Sequence, residues 1–336
     1  MSLALISNIV DKLMLIIAFS IIAQCFNKAR LFSWIANKSR IAATPVHLVI
    51  FWFTVAFLLS GIFNDMTIAA LLVPLVVSHA SQVDFPRPDL LVMSVAFGIS
   101  TGGDLTVFGG NDNLIALGML QGTSYELSKT AWSTVFAPCT VLIGLFTLCV
   151  CLWAVRQLNW EQQMQPHSVN MNMLLVVVLA ATIVAAFFIE SWLLLIVTII
   201  EALLCRLGKE LLRKLPYKAM GVWTIAYIVG QFLAKFVAPE LTIPDNAYLL
   251  VLLLIVATNL LTNTALMSAA IPFVIASGLP APVCYAAIKA VNAAYVTIYG
   301  NSCLAVAGGY GLKQRDLFKY GLPILAFSFI AIMLCF

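Results

Sequence analysis

Apolar residues fill most of this chain in long blocks, and the blocks end in two ways. Some run uninterrupted to a basic loop. Others stop at a small polar cluster, resume at once, and are followed by a second apolar run broken by Gly and Asn. This second pattern occurs twice. The first copy reads FLLSGIFNDMTIAALLVP (57–74), then FGISTGGDLTVFGGNDNLIALG (97–118). The second reads ATNLLTNTALMSAAIP (257–272), then VNAAYVTIYGNSCLAVAGG (291–309). Without gaps, Asn111, Leu114, Gly118, Leu127 and Lys129 align on Asn301, Leu304, Gly308, Leu317 and Lys319.

The uninterrupted blocks set the class. Segments 131–155, 171–189 and 247–267 carry almost no charge, and at about 1.5 Å per residue each reaches, or nearly reaches, across a hydrocarbon core of about 30 Å. Composition agrees: the 336 residues are 62% hydrophobic and 10% charged, with mean hydropathy +1.04, far from the globular average. The polar breaks are then the anomaly. Unsatisfied backbone in hydrocarbon costs several kcal/mol per group, so it persists only where protein or a water-filled cavity surrounds it. The pattern predicts an all-α polytopic membrane protein with two inverted repeats. Each repeat holds a re-entrant hairpin (47–82 and 246–279) and a broken transmembrane helix (89–122 and 281–311). Interrupted segments at matching places in two halves point to the binding site of a secondary transporter.

Basic residues orient this arrangement. Lys28, Arg30, Lys38 and Arg40, then Arg87, Arg156, the cluster Arg206, Lys209, Arg213, Lys214 and Lys218, and finally Lys313, Arg315 and Lys319 all belong in the cytoplasm by the positive-inside rule. One topology satisfies them. Both termini lie outside, the first hairpin opens inward and the second opens outward. Helices near 171–188 and 189–205 form an extra pair, and 219–238 runs outward. Residues 1–156 form the first repeat, 157–170 a cytoplasmic linker and 171–336 the second repeat. The segments 27–40 and 206–218, with Trp34 and Tyr217, read as amphipathic helices along the cytoplasmic surface or simply as basic connectors. Segment 3–26 lacks a basic leader and carries Asp11 and Lys12, so it reads as a retained helix.

The chemistry gathers at the breaks. The hairpin tips hold Asn64, Asp65 and Thr67, and Thr262, Asn263 and Thr264, each followed by a helix expected to end at a proline (Pro74, Pro272). Helix N-termini favour anions, while carbonyl and side-chain oxygens suit a hard cation such as Na⁺. The broken helices add Gly103, Thr106, Asn111 and Asn113 in one half, and Thr297, Asn301 and Ser302 in the other. Any one of these residues could serve only helix packing; clustered at matched places they indicate a site. Asp65, Asp104 and Asp112 fall within the first-half breaks, and intramembrane carboxylates usually mark an ion or proton path. Lys289 either pairs with one of them or contacts an anionic solute. Glu190 and Glu201 lie near helix ends and are expected at the interface.

Other classes find little support. The eight Cys lie mostly within apolar runs and read as small buried hydrophobes. The three His have no motif around them. No GxxxxGK[ST] pattern occurs, which argues against direct ATP drive, and no nucleophile–base set suggests an enzyme. The net charge of +4 reflects loop Lys and Arg, and no nucleic-acid partner or cofactor is expected.

At these residues the chain resembles the ion transporter superfamily, most closely its divalent anion:sodium symporter branch. Thr262-Asn263-Thr264 matches the Ser-Asn-Thr hairpin tip of that branch. Gly102-Gly103, Thr106, Gly109 and Asn113-Leu114-Ile115 are similar to its first broken helix, and Gly300-Asn301 with 308–322 to its second. The resemblance implies Na⁺ bound between each tip and the facing break, by Asn64, Asp65, Gly103, Thr106, Asn111, Asp112, Asn263, Thr297 and Asn301. It implies a small, di- or tri-anionic solute held between the tips by Asn64, Thr67, Asn113, Thr262, Asn263, Thr264, Asn301 and Ser302. It further implies a homodimer in the inner membrane. Proton coupling would fall to Asp65, Asp104, Asp112 and Lys289. The first tip departs from the branch, reading Asn64-Asp65-Met66, and the first break reads Gly110-Asn111-Asp112 where Thr-Pro-Pro is expected. The Asn-Asp tip is similar to the sodium/proton antiporters and arsenite-efflux permeases of the same superfamily, which stand as the alternative.

Overall fold

The polar clusters that interrupt the apolar blocks are helix boundaries in the computed structural model of the chain. The structure describes residues 3–30, 44–158, 160, 172–185, 189–207, 215, 217, 220–221, 224–225, 228 and 246–336. Among the described residues the thirteen named elements are all α-helices: α1 (Leu3–Lys28), α2 (Pro45–Ile62), α3 (Asp65–Gln82), α4 (Pro88–Gly102), α5 (Asn111–Leu120), α6 (Lys129–Val155), α7 (Met173–Ala185), α8 (Ser191–Leu204), α9 (Ala247–Leu260), α10 (Asn263–Ala276), α11 (Ala281–Val291), α12 (Ser302–Gly309) and α13 (Gln314–Cys335). Most of the proposed span 219–238, most of the linker 157–170 and most of the two surface segments lie outside the described residues.

Capping explains where the helices restart. The Asn64 side chain accepts from the Met66 and Thr67 amides at the start of α3, and the Thr262 hydroxyl accepts from Ala265 N at the start of α10. Each satisfies a backbone donor that the first turn leaves free. The prolines do not end these helices. The α3 helix continues past Pro74 to Gln82 and α10 past Pro272 to Ala276, because neighbouring protein can compensate the hydrogen bond that an internal proline removes. Four described segments are long and apolar enough to cross a membrane: Ile9–Phe26, Pro45–Ile62, Lys129–Val155 and Gln314–Cys335. The Pro45–Ile62 helix, expected as one arm of a hairpin, thus has the length of a full span.

Packing follows the same plan in both halves. Helix α4 packs on α2, α3 and α6, and α11 packs on α9, α10 and α13. The halves also interlock, with α3 against α12 and α10 against α5. The α1 helix lies on α8, α3 and α7. Where α4 and α13 begin, Arg87 binds Asp89 (2.8 Å) and Asp316 (3.3 Å), and Lys313 reaches Asp89 (3.5 Å).

Glu201 departs from expectation. It is 4% exposed, within α8, and hydrogen bonds to Thr182 of α7. Its place near the end of α8 suggested an interfacial carboxylate, but the α1–α7–α8 contact covers it. Of the cysteines, all eight are free and only Cys149 and Cys335 are exposed.

Candidate functional site

Each helix restart is tied to the broken helix that faces it, and the ties repeat. In the first half Asp65 N donates to Gly109 O (2.6 Å), and Thr106 Oγ1 donates to Gly61 O (2.6 Å). In the second half Asn263 N donates to Gly300 O (3.0 Å), and Thr297 Oγ1 donates to Asn259 O (2.5 Å). The glycines are required by this close approach. A Cβ on Gly109 would collide with Gly103 O and Ser60 O, and one on Gly300 with Thr258 O and Ala294 Cβ. These contacts pair Gly109 with Gly300 and Thr106 with Thr297. The register at the breaks therefore differs by one from the ungapped alignment. Asn301 is the N-cap of α12, and the corresponding N-cap of α5 is Gly110, not Asn111.

The restarts of α3, α5, α10 and α12 meet around one polar centre. Asn64 Nδ2 donates to Asn111 Oδ1 (2.9 Å). Asp112, 7% exposed, adjoins Asn263 and lies within electrostatic range of Asp65 and Asp104. Cys303, in the first turn of α12, lies within range of both Asp65 and Asp112. Asn301 caps Cys303 N (3.0 Å) and donates to Ser100 Oγ on α4 (3.1 Å). Thr258 has one hydroxyl proton and gives it to Val291 O (2.5 Å). Asn263 therefore turns its amide nitrogen toward Thr258 Oγ1 and Gly300 O, both at 2.7 Å. The two halves differ in exposure: Asn64 at the first tip is half-buried and Asn111 in the first break exposed, whereas Asn263 and Asn301 are buried. Thr67, Thr264 and Ser302 occupy first turns, partly exposed.

A second polar layer joins the two halves. Lys289 Nζ binds Asp104 Oδ2 (2.5 Å) and Thr140 Oγ1 of α6 (2.8 Å). Asn292 Nδ2 donates to Asp104 Oδ1 (2.8 Å) and Asn113 Oδ1 (2.9 Å). Asn113 Nδ2 in turn holds Gly103 O (2.9 Å) and Thr106 O (3.1 Å). Of the two roles open to Lys289, the geometry shows ion pairing. Asn113, expected at the solute, is fully buried, and its amide fastens the first break.

Asn259 was not singled out from the sequence, yet it organises the second break. Its Nδ2 donates to Ile255 O and Ala293 O, and its Oδ1 accepts from Tyr295 N and Val296 N. Its position one turn before the tip, within a repeated motif, was the available signal. Trp52 Nε1 donates to His79 Nδ1 (3.0 Å) between α2 and α3, a pairing that no local pattern announces.

Four helix N-termini, each carrying about half a positive charge, meet at the centre that holds Asp65 and Asp112, with the buried Asp104–Lys289 pair in the layer beside it. Such a centre can hold an anion at amide groups and a hard cation at oxygens. No curated protein matches the chain. The citrate transporter family (CitMHS) does match, over residues 2–300. Nearly the whole chain, including both hairpin-like motifs and most of both breaks, falls within that match, and the protein belongs to the CitMHS family of membrane transporters.

Proposed function

We propose that this protein is a secondary active carrier of citrate or a related di- or tricarboxylate, coupled to Na⁺ or protons and working by alternating access. The observation that carries the reading is the meeting of four helix N-termini with Asp65 and Asp112 at one centre. The charges explain why coupling is needed. Lys289 matches Asp104, and the helix ends supply about two positive charges against Asp65 and Asp112. A polyanion entering that balance requires cations to enter with it. Cation and anion then each stabilise the loaded form, and loaded and empty forms cross more readily than a half-loaded one.

In this reading the paired restarts are the tips of two oppositely inserted hairpins, in an inner-membrane homodimer. Na⁺ would bind at the tip and break oxygens of Asn64, Asp65, Thr106, Asn111, Asn263, Thr297 and Asn301. Several of these already make hydrogen bonds, but a carbonyl or carboxylate oxygen has a second lone pair to offer. The half-buried first tip, beside an exposed Asn111, and the more deeply buried second tip suit a carrier open toward one side. Sodium/proton antiport is the second reading, favoured by the three carboxylates against a single lysine.

Uptake of labelled citrate into proteoliposomes separates the two. An imposed Na⁺ or proton gradient is expected to drive accumulation of citrate, and Asn263→Ala to abolish it in a protein that still inserts. Na⁺-driven proton movement with no citrate accumulation would establish antiport instead.

A further inference from the structure

The α1–α7–α8 contact holds an acid that the transport centre does not use. Glu201 of α8 is 4% exposed. Thr182, on α7, is its hydrogen-bond partner through Oε1, and Oε2 is buried with no partner among the described residues. An ionised carboxylate taken from water into such a contact costs several kcal/mol unless a cation and hydrogen bonds compensate it. Asp104 has that compensation in Lys289 and Asn292. Among the described residues Glu201 takes part in no ion pair. Among the described residues, the titratable groups that interact with it are thiols, Cys25 of α1 and Cys205 at the end of α8. Lys28 is the basic group of α1 on this side, and it acts on Cys205. The α7 sequence MLLVVVLAATIVA contains no titratable residue.

Hydrogen-bond stoichiometry then bears on where the proton sits. Thr182 has a single hydroxyl hydrogen, but its Oγ1 stands at hydrogen-bond distance from two acceptors, Glu201 Oε1 and Val178 O (3.2 Å). One hydrogen serves both only as a weaker, bifurcated bond. Both contacts are satisfied if Glu201 carries the proton and donates to Thr182 Oγ1, which donates to Val178 O. We propose that Glu201 is a proton-binding site, separate from the central polar centre, whose neutral carboxyl clasps α8 to α7 beside α1. Ionisation would leave Thr182 dividing one hydrogen between its two acceptors, and would place a charge in the contact with no ion-pair partner among the described residues.

Infrared difference spectra of the full-length protein in lipid at neutral pH, wild type minus Glu201→Gln, test this. A lost carbonyl band of a protonated carboxylic acid is the expected result. Loss of carboxylate bands alone would overturn the proposal. Carbodiimide labelling of the wild type decides the matter if the variant does not fold, since these reagents add to protonated carboxyls. Dicyclohexylcarbodiimide should modify Glu201, as read by peptide mass spectrometry, and a water-soluble carbodiimide should not. Absence of Glu201 labelling by the hydrophobic reagent, or equal labelling by both, would count against it.

Discussion

Replacing Lys289 with Met isolates the contact that joins the two halves. The ammonium is 3% exposed and the Asp104 side chain 8%, so neither charge is hydrated when its partner is removed. Lys289→Met leaves Asp104 with Asn292 as its remaining hydrogen-bond donor and also frees Thr140. Breaking one side of a buried pair costs about 3–5 kcal/mol, most of it the stranded charge. Adding Asp104→Asn removes that charge and keeps an acceptor for Asn292, so the double variant should recover to within about 2 kcal/mol of wild type. The assay is unfolding in mixed micelles followed by tryptophan fluorescence, arranged as a double-mutant cycle. Equal stability of Lys289→Met and wild type would refute the reasoning. So would a double variant as damaged as the sum of the singles.

Other perturbations probe the breaks. Gly109→Ala puts a methyl against two carbonyl oxygens and should cost about 1–3 kcal/mol, with transport lost. Gly118→Ala, where a Cβ meets nothing within 4 Å, should be neutral or stabilising by up to about 1 kcal/mol; thermal shifts compare the two. Asn259→Ala leaves the Tyr295 and Val296 amides without their acceptor and should destabilise by about 1–3 kcal/mol for each buried donor. Asp65→Asn should alter the Na⁺ or pH dependence of uptake while the protein remains folded; unchanged profiles would give Asp65 a purely structural role.

Local chemistry made the boundaries legible. Asn64 and Thr262 stand where capping residues belong, just before apolar runs, and the helices restart there. Asp104 and Lys289 were conspicuous because charge is scarce in such a chain, although only three dimensions could show them paired across the halves. What escaped notice depends on contacts distant in sequence. Asn259 resembles any small polar residue in a helix until Ala293, Tyr295 and Val296 come round to meet it. Glu201 sits near a helix end, and the packing of α1 decides that it faces protein instead of water. The one-residue register difference at the breaks had the same origin. Asn111 and Asn301 align in sequence, but Gly109 and Gly300 are the residues that touch the tips.

A density map of the protein in lipid with citrate and the coupling cation present tests the central claim most directly. Anion density is expected at the amide ends of α3, α5, α10 and α12, bordered by Asn64, Asn111, Asn263 and Asn301, with a cation beside Asp65 or Asp112. Anion density elsewhere, with those four helix ends closed on one another by protein alone, would contradict it.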